Sequence, residues 1–503
     1  MAFYAQDEYL MNENVTFTFG LRVDIPMYLT DPIDNPWSRS LQLLDENDQA
    51  ESVDQSKLPD ATPLLSPRVG FNWDVTGDRS TQLRGGTGIF TGRIPFVWLG
   101  NNISNPGLNP NLYHPAYNPA GTRYPTQDNS VLMQTDDLNA MANDFKWPQV
   151  WTTNFAIDQK LPYNILGTFE VIYGKDINAI YVRNANLGAP VRYLDDGRPY
   201  YNNGKADPNF TGGAYVIDNN DEGSSLTITA QLRKQFESGL STTLSYNFNE
   251  SKNALTTTEI ASALFGSNPV QGDPNAPQSS YSQFGQCHRI IGGATYQHKW
   301  SENLATTFGV FFEAAEGNVF STAGGNRYSF VYAGDVNGDG QAGNDLIYVP
   351  SNQGQITLVD YTNASGATVT AAEQWTALNA FIEQDDYLSE NRGSIAERNG
   401  LINPWYFNID LRILQDFSLA FGGKRHTFQL SLDVLNVANL ISSSWGVRQV
   451  ADSRATSPLQ LQGFDASGEP QFTFDTSVKE TFIDDPSIFS RWQMQLGLRY
   501  FFQ

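Results

Sequence analysis

The stretch NVTFTFGLRVD, residues 14–24, decides how the whole chain is read. Val15, Phe17, Phe19, Leu21 and Val23 are apolar, and Thr16, Thr18, Gly20 and Arg22 lie between them. Successive side chains of a strand point to opposite faces, so this segment reads as a strand with one greasy and one polar face. The pattern recurs along the chain. Trp151, Phe155 and Ile157 oppose Thr152, Asn154 and Asp158. Leu226, Ile228 and Leu232 oppose Thr227, Thr229, Gln231 and Arg233. Trp405, Phe407, Ile409, Leu411 and Ile413 oppose Asn408, Asp410 and Arg412, and Phe428, Leu430, Leu432 and Val434 oppose Gln429, Ser431 and Asp433. Near the end, Trp492, Met494, Leu496, Leu498, Tyr500 and Phe502 oppose Gln493, Gln495, Gly497 and Arg499.

Strands of a soluble β-sandwich alternate too, but strands in soluble sheets average about 5–6 residues. Several runs here last 9–12 residues, near the ~9–11 that a tilted strand needs to cross a bilayer. Tyr9, Trp73, Trp151, Tyr173, Trp300, Trp405, Trp492 and Tyr500 fall at run ends, where an interfacial aromatic girdle would sit. Thirteen strands are expected, near 2–10, 15–24, 66–74, 80–91, 149–160, 165–175, 224–236, 240–250, 288–300, 304–314, 404–419, 426–437 and 490–502. Short turns at 11–14, 76–79, 161–164, 236–239, 301–303 and 420–425 alternate with long loops at 25–65, 92–148, 176–223, 251–287, 315–403 and 438–489. A sandwich has no reason to put every long loop at one end. The fold class is therefore all-β, an antiparallel transmembrane β-barrel with short periplasmic turns and long extracellular loops, in the outer membrane of a Gram-negative cell. This parity sends the last strand inward and, counting back, starts the chain outside. Bacterial barrels have even strand numbers. Residues 1–503 are thus expected to be part of a barrel, lacking an N-terminal portion, unless one strand is miscounted.

Composition narrows the function classes. The chain has 503 residues, with 42 glycines, 23 tyrosines and 31 phenylalanines, a mix that suits strands and turns. Its formal net charge of −23 is the opposite of what a nucleic-acid binder needs. Loops 25–65, 315–403 and 438–489 carry a net −18 of this, an acidic vestibule that would repel anions and attract cations. A single cysteine, Cys287, excludes an internal disulfide framework. No apolar run reaches the ~18–20 residues of a membrane-spanning helix, and MAFYAQDEYL is no secretory signal.

One stretch has the pattern of a metal site. Asp335-Val-Asn337-Gly-Asp339-Gly340-Gln341 matches the opening of a calcium loop. Oxygens at its first, third and fifth positions can converge on a hard cation, the sixth turns sharply, and the seventh offers a carbonyl. The twelfth position, where a bidentate Glu is expected, is Leu346; Asp345 is the nearby carboxylate that could replace it. The bland alternative is a glycine-rich external turn. Gly338–Gly343 also spells G-x-G-x-x-G, but no helix pattern follows and acids flank it, against nucleotide binding. Cys287 and His288 are sequence neighbours whose side chains point apart on a strand. Four histidines (114, 288, 298 and 426) are too few for a His-rich centre, and no G-x-S-x-G or H-E-x-x-H is present. No catalytic residue and no cofactor besides calcium is expected. Thr370–Leu388 has helical spacing, with Trp375, Leu378, Phe381 and Ile382 on one side. This helix, in the large loop 315–403, is expected to pack against its own loop. A docking surface is the alternative.

Several segments resemble TonB-dependent outer-membrane receptors. FYAQDEYLMNENVTFTFGLRVD (3–24) looks like their recurrent strand–turn–strand, and SPRVGFNWDV (66–75) with STQLRGGTGIFTGR (80–93) resembles the next hairpin. DVNGDGQAGNDLIYVP (335–350), RGSIAERNGLINPWYFNIDLRI (392–413), LSLDVLNVANLI (430–441) and RWQMQLGLRYFF (491–502) are similar to the Oar-like branch. The resemblance implies a plugged barrel of about 22 strands, of which this chain would supply the last thirteen. It also implies energised uptake of a substrate too large or scarce for porins, driven by TonB–ExbB–ExbD through a plug. Lipid and lipopolysaccharide would surround the barrel, an unknown extracellular substrate would be its ligand, and a surface lipoprotein is left open as a partner. Two features depart from the family: plug and TonB box are absent, and Gln503 follows the final aromatic. A passive porin of about 14 strands, or an adhesin on the same barrel, are the alternatives.

Overall fold

The computed structural model describes all residues except 29–31, 33, 105–136, 256–258, 277, 284, 318–326 and 503. Thirteen long strands form one antiparallel sheet in strict sequence order. They are β1 (Ala2–Asn12), β2 (Val15–Asp24), β3 (Leu64–Asp74), β4 (Thr81–Thr91), β5 (Gln149–Leu161), β6 (Ile165–Asp176) and β7 (Gly223–Gln235). There follow β8 (Leu240–Asn253), β9 (His288–Ser301), β10 (Leu304–Glu316), β11 (Trp405–Phe421), β12 (Lys424–Leu435) and β13 (Gln493–Phe502). A short strand, Ser280–Tyr281, pairs with the end of β8. Among the described residues the sheet does not close, and β1 and β13 are its two edges.

The short connectors have local causes. Phe421 pairs with Lys424 across Gly422 and Gly423, at φ +64° and +76°. Positive φ at both central residues is the two-residue hairpin turn whose twist matches its strands, and glycine adopts it without a Cβ clash. Between β3 and β4, Asp74 Oδ1 accepts from the backbone N–H of Gly77 at 3.0 Å and of Arg79 at 3.1 Å, closing the turn with a side chain.

Register keeps each face uniform across strands. Phe17 faces Phe71, and Phe19 faces Val69. Leu411 faces Val434, Leu432 faces Leu496, and Leu430 faces Leu498. A slip of one residue would move a whole strand's apolar set to the polar face, so these columns fix the register. The apolar face is unburied, with Leu496 79 % and Leu498 69 % exposed. A continuous apolar surface of this size needs hydrocarbon around it.

The buried core lies mostly outside the sheet, in the long connectors. One cluster holds Leu43, Leu138, Phe210, Ala214 and Leu264. It is braced by a mixed three-stranded sheet of Asp137–Met141, Ala179–Asn184 and Gly213–Asn220. The second holds Phe330, Val349, Leu388, Leu459 and Phe474. Its helix Ala371–Gln384 starts on a capping box, with Thr370 Oγ1 accepting from Glu373 N and the Glu373 carboxylate accepting from Thr370 N. Leu378, Phe381 and Ile382 of the helix are buried in this cluster with Phe472 and Phe474 of the connector before β13. Trp375 is only partly buried, and Gln374 is fully buried, bonded to Val359 O and to Phe474 N. Among the described residues, the long connectors form two folded lobes at one end of the sheet.

Candidate functional site

The two faces of the sheet do different chemistry. All eight aromatics expected at run ends are on the surface, and they fall into two bands. Tyr9, Trp73, Trp300 and Tyr500 lie toward the short turns, and Trp151, Tyr173, Trp405 and Trp492 toward the lobes. Three histidines join these bands. His288 Nδ1 meets Tyr246 Oη at 2.8 Å and its ring stacks on Trp405, His298 packs edge-on to Trp300, and His426 stacks on Tyr500. Rings with an apolar body and a polar edge suit the level of lipid headgroups. His114 lies outside the described residues.

The polar face carries ion pairs between strands. Arg84 of β4 reaches Asp158 of β5 at 3.1 Å and Glu170 of β6 at 3.0 Å. Arg289 of β9 meets Glu313 of β10 at 2.6 Å, and Arg412 of β11 meets Asp433 of β12. Gly293 and Gly309 leave the wall open beside Phe311, Asp410 and Arg412, making a groove of about 460 Å³. Such a face is a wetted wall with charges held in place.

At the loop end, the turn 335–346 is where three connectors meet. Gly340 has φ +90°, the conformation expected of the sixth position. Asp335 Oδ1 accepts from Gly338 N at 2.7 Å and Asp339 N at 3.2 Å, and its Oδ2 accepts from Gly340 N at 2.9 Å. Asn337 and Asp339 are buried, with Asp339 N donating to Asn337 Oδ1 at 2.9 Å. Asp339 Oδ1 accepts from Gln341 N at 2.7 Å. The Gln341 side chain lies beside Gly266 and Tyr215. Asp345 Oδ2 accepts from Val336 N at 2.7 Å and Asn337 N at 3.2 Å, and Oδ1 faces the buried Arg198 guanidinium at 3.5 Å. Asp345 is thus committed to its own backbone and to Arg198.

Burial raises all three carboxyls. Asp339 is pushed up to about 7, by burial first and then by the charge of Asp345. Asp345 is pushed up to about 6 by burial, which Arg198 opposes. Asp335 rises less, because three backbone N–H groups favour its charged form. Among the described residues no group of three or more His, Cys, Asp or Glu side chains is spaced to hold a metal. A cation here would need carboxamide and carbonyl oxygens as well, a donor set that suits calcium.

Two arginines that sequence reasoning passed over organise the lobes. Arg183, 2 % exposed, bonds Glu51 at 2.6 and 2.7 Å and Asp218 at 3.1 Å, tying connector 25–63 to connector 177–222. Arg198 donates to Asp196 at 2.7 Å and to Leu346 O at 2.7 Å. Beside it, Asp195, Asp196, Tyr348 and Glu469 line an external cleft of about 360 Å³. No sequence signal singled the two arginines out: connector 177–222 also carries Arg192 and Lys205, and only the fold shows which cations are buried against carboxylates.

A family model described as an outer membrane beta barrel domain matches residues 1–454. The chain belongs to this family. It is an all-β outer-membrane protein. No curated protein matches it. Among solved structures, the outer membrane transporter YddB from Escherichia coli is 11 % identical at TM-score 0.43, covering 97 % of this chain and 45 % of that one. The siderophore receptor PiuA from Acinetobacter baumannii is 9 % identical at TM-score 0.37, covering 100 % and 43 %. The copper transporter OprC is 11 % identical at TM-score 0.36, covering 87 % and 42 %. This barrel-family chain therefore spans less than half the length of these transporters and receptors.

Proposed function

We propose that the chain is barrel wall and extracellular cap of a TonB-dependent receptor of the Oar-like branch. It takes up a substrate too large or scarce for porins, energised by TonB–ExbB–ExbD through a plug. The observation that carries this reading is the pair of folded lobes: connectors that bury their own cores present a fixed external surface, as ligand capture needs and a passive pore does not. The polar face below them, with its paired charges, gives a hydrated path. Calcium at Asp335, Asn337, Asp339 and the Gln341 carbonyl stiffens the cap in the same reading. The test is uptake by cells expressing the protein, with and without TonB. Accumulation that stops when TonB is deleted supports the receptor. Accumulation indifferent to TonB and to the proton-motive force would make the protein a passive pore.

A further inference from the structure

We propose that a groove in the apolar face, at the end of the sheet that bears the short turns, holds one glycerophospholipid. Its acyl chain lies in the groove and its phosphate meets Lys234.

The groove comes from what the strands leave out. Gly167 of β6 faces Leu232 of β7, which faces Leu244 of β8. In the next row Phe169 faces Ala230, which faces Tyr246. Gly167 brings no side chain and Ala230 only a methyl group, so the face sinks between the larger residues around them. The result is an apolar groove of about 450 Å³. The face around it is the one that hydrocarbon covers, so the membrane itself supplies the occupant. On a smooth wall an acyl chain has contacts on one side only. In a recess it has them on several sides, and dispersion attraction grows with the number of atoms in contact.

One end of the groove is charged. Lys234 is on the same face as Ala230 and Leu232, one side-chain step nearer the turn, about 7 Å further along the strand. Its ammonium lies over the Phe236 ring, 4.4 Å from the centre, and over the Tyr163 ring at 5.9 Å. Among the described residues it has no carboxylate partner. Aromatic faces attract the ammonium and fix its position, but they accept no conventional hydrogen bond, so its N–H donors stay available to an anion. A lysine can reach headgroup level simply by snorkelling. Lys424 is the comparison: it lies at another short turn, over the Phe502 ring at 5.7 Å, and away from the groove. What sets Lys234 apart is the recess behind it. A phosphate held by Lys234 brings an acyl chain of the same molecule over Ala230 and Gly167. One ammonium matches the single phosphodiester of a glycerophospholipid. Lipid A, with two phosphates and more chains, calls for several cations and a wider recess.

The experiment uses the full chain purified from outer membranes into detergent, with dioleoyl phosphatidylglycerol as probe and lipid A in a second arm. Native mass spectrometry counts the lipids that stay bound as the concentration is varied. The parent protein is expected to retain one phosphatidylglycerol more tightly than any further copy. Lys234→Ala removes a charge-assisted hydrogen bond and should weaken that first binding about tenfold. Ala230→Leu fills the groove with a side chain that hydrocarbon tolerates and should weaken it as well. Lys424→Ala should leave it unchanged. If Ala230→Leu disturbs the sheet, Lys234→Ala still decides, because it lies at headgroup level and leaves the backbone pairing alone. Equal retention by the parent, Lys234→Ala and Ala230→Leu would show unspecific boundary lipid and overturn the site. Loss in Ala230→Leu with none in Lys234→Ala would overturn the phosphate contact. Lipid A held as tightly as phosphatidylglycerol would overturn the assignment to a glycerophospholipid.

Discussion

At the scale of single residues, the side chain's face decides what a substitution does. Leu432 and Leu496 face each other in mid-strand on the apolar side, and Asp433 and Gln495 face each other on the polar side. An arginine near the bilayer midplane costs about 2–4 kcal/mol. Leu432→Arg and Leu496→Arg should therefore lower stability in vesicles by about that amount, measured by denaturant titration. Gln429→Arg and Gln495→Arg should be mild, because the polar face already holds Arg84, Arg289 and Arg412. Equal losses on both faces would be incompatible with a lipid-facing side. Arg183 gives a second prediction, for the lobes. Its removal leaves the half-buried Asp218 and Glu51 carboxylates without their shared counter-charge, and since breaking a fully buried pair costs about 3–5 kcal/mol, the loss here should be at the low end of that range or below. Arg183→Met should thus expose the first lobe to protease while the sheet stays folded. Burial already pushes the Asp218 carboxyl up while Arg183 holds it down, which is the tension the substitution would release.

At the scale of elements, the sequence made the thirteen strands legible because several alternate over nine or more residues and short turns alternate with long loops between them, and the structure places all thirteen within a few residues of the expected bounds. Asp137–Met141, Ala179–Asn184 and Gly213–Asn220 were not legible. Their residues are mostly buried on both faces, so apolar and polar positions do not alternate, and each strand finds partners far away in sequence. The metal-like turn was legible as a pattern, but the commitment of Asp345 to Arg198 was not, because the two lie on connectors far apart in sequence. The helix 371–384 was legible through its spacing, and it yields an element-scale prediction. Leu378 sits 2 % exposed between two connectors, so Leu378→Ala should cost about 2–5 kcal/mol of lobe stability. Thr370→Ala, which removes only the cap, should cost about 1 kcal/mol. Amide exchange across residues 371–384 and 470–474 would measure both. Exchange that quickens in the helix alone would mean that it does not support the neighbouring connector.

At the scale of the whole molecule, topology binds every connector to one orientation. Antiparallel strands in sequence order send each successive connector to the opposite end, so locating one locates all. The short turns, including 75–80 and 422–423, are at the end bearing Trp73 and Trp300, and the lobes are at the end bearing Trp151 and Trp405. Acid is concentrated in the lobes, so exposure on the cell surface and negative charge should go together. Cysteine labels at Lys57 and Ala380 should react with an impermeant maleimide on intact cells, and labels at Asp78 or Glu302 should react only after the outer membrane is opened. All four positions lie outside the strand ladder, so the substitutions leave the paired sheet intact. Labelling at Asp78 with protection at Lys57 would invert the molecule and put the lobes in the periplasm. Labelling at all four on intact cells would mean that the sheet does not span the membrane, whatever its apolar face suggests.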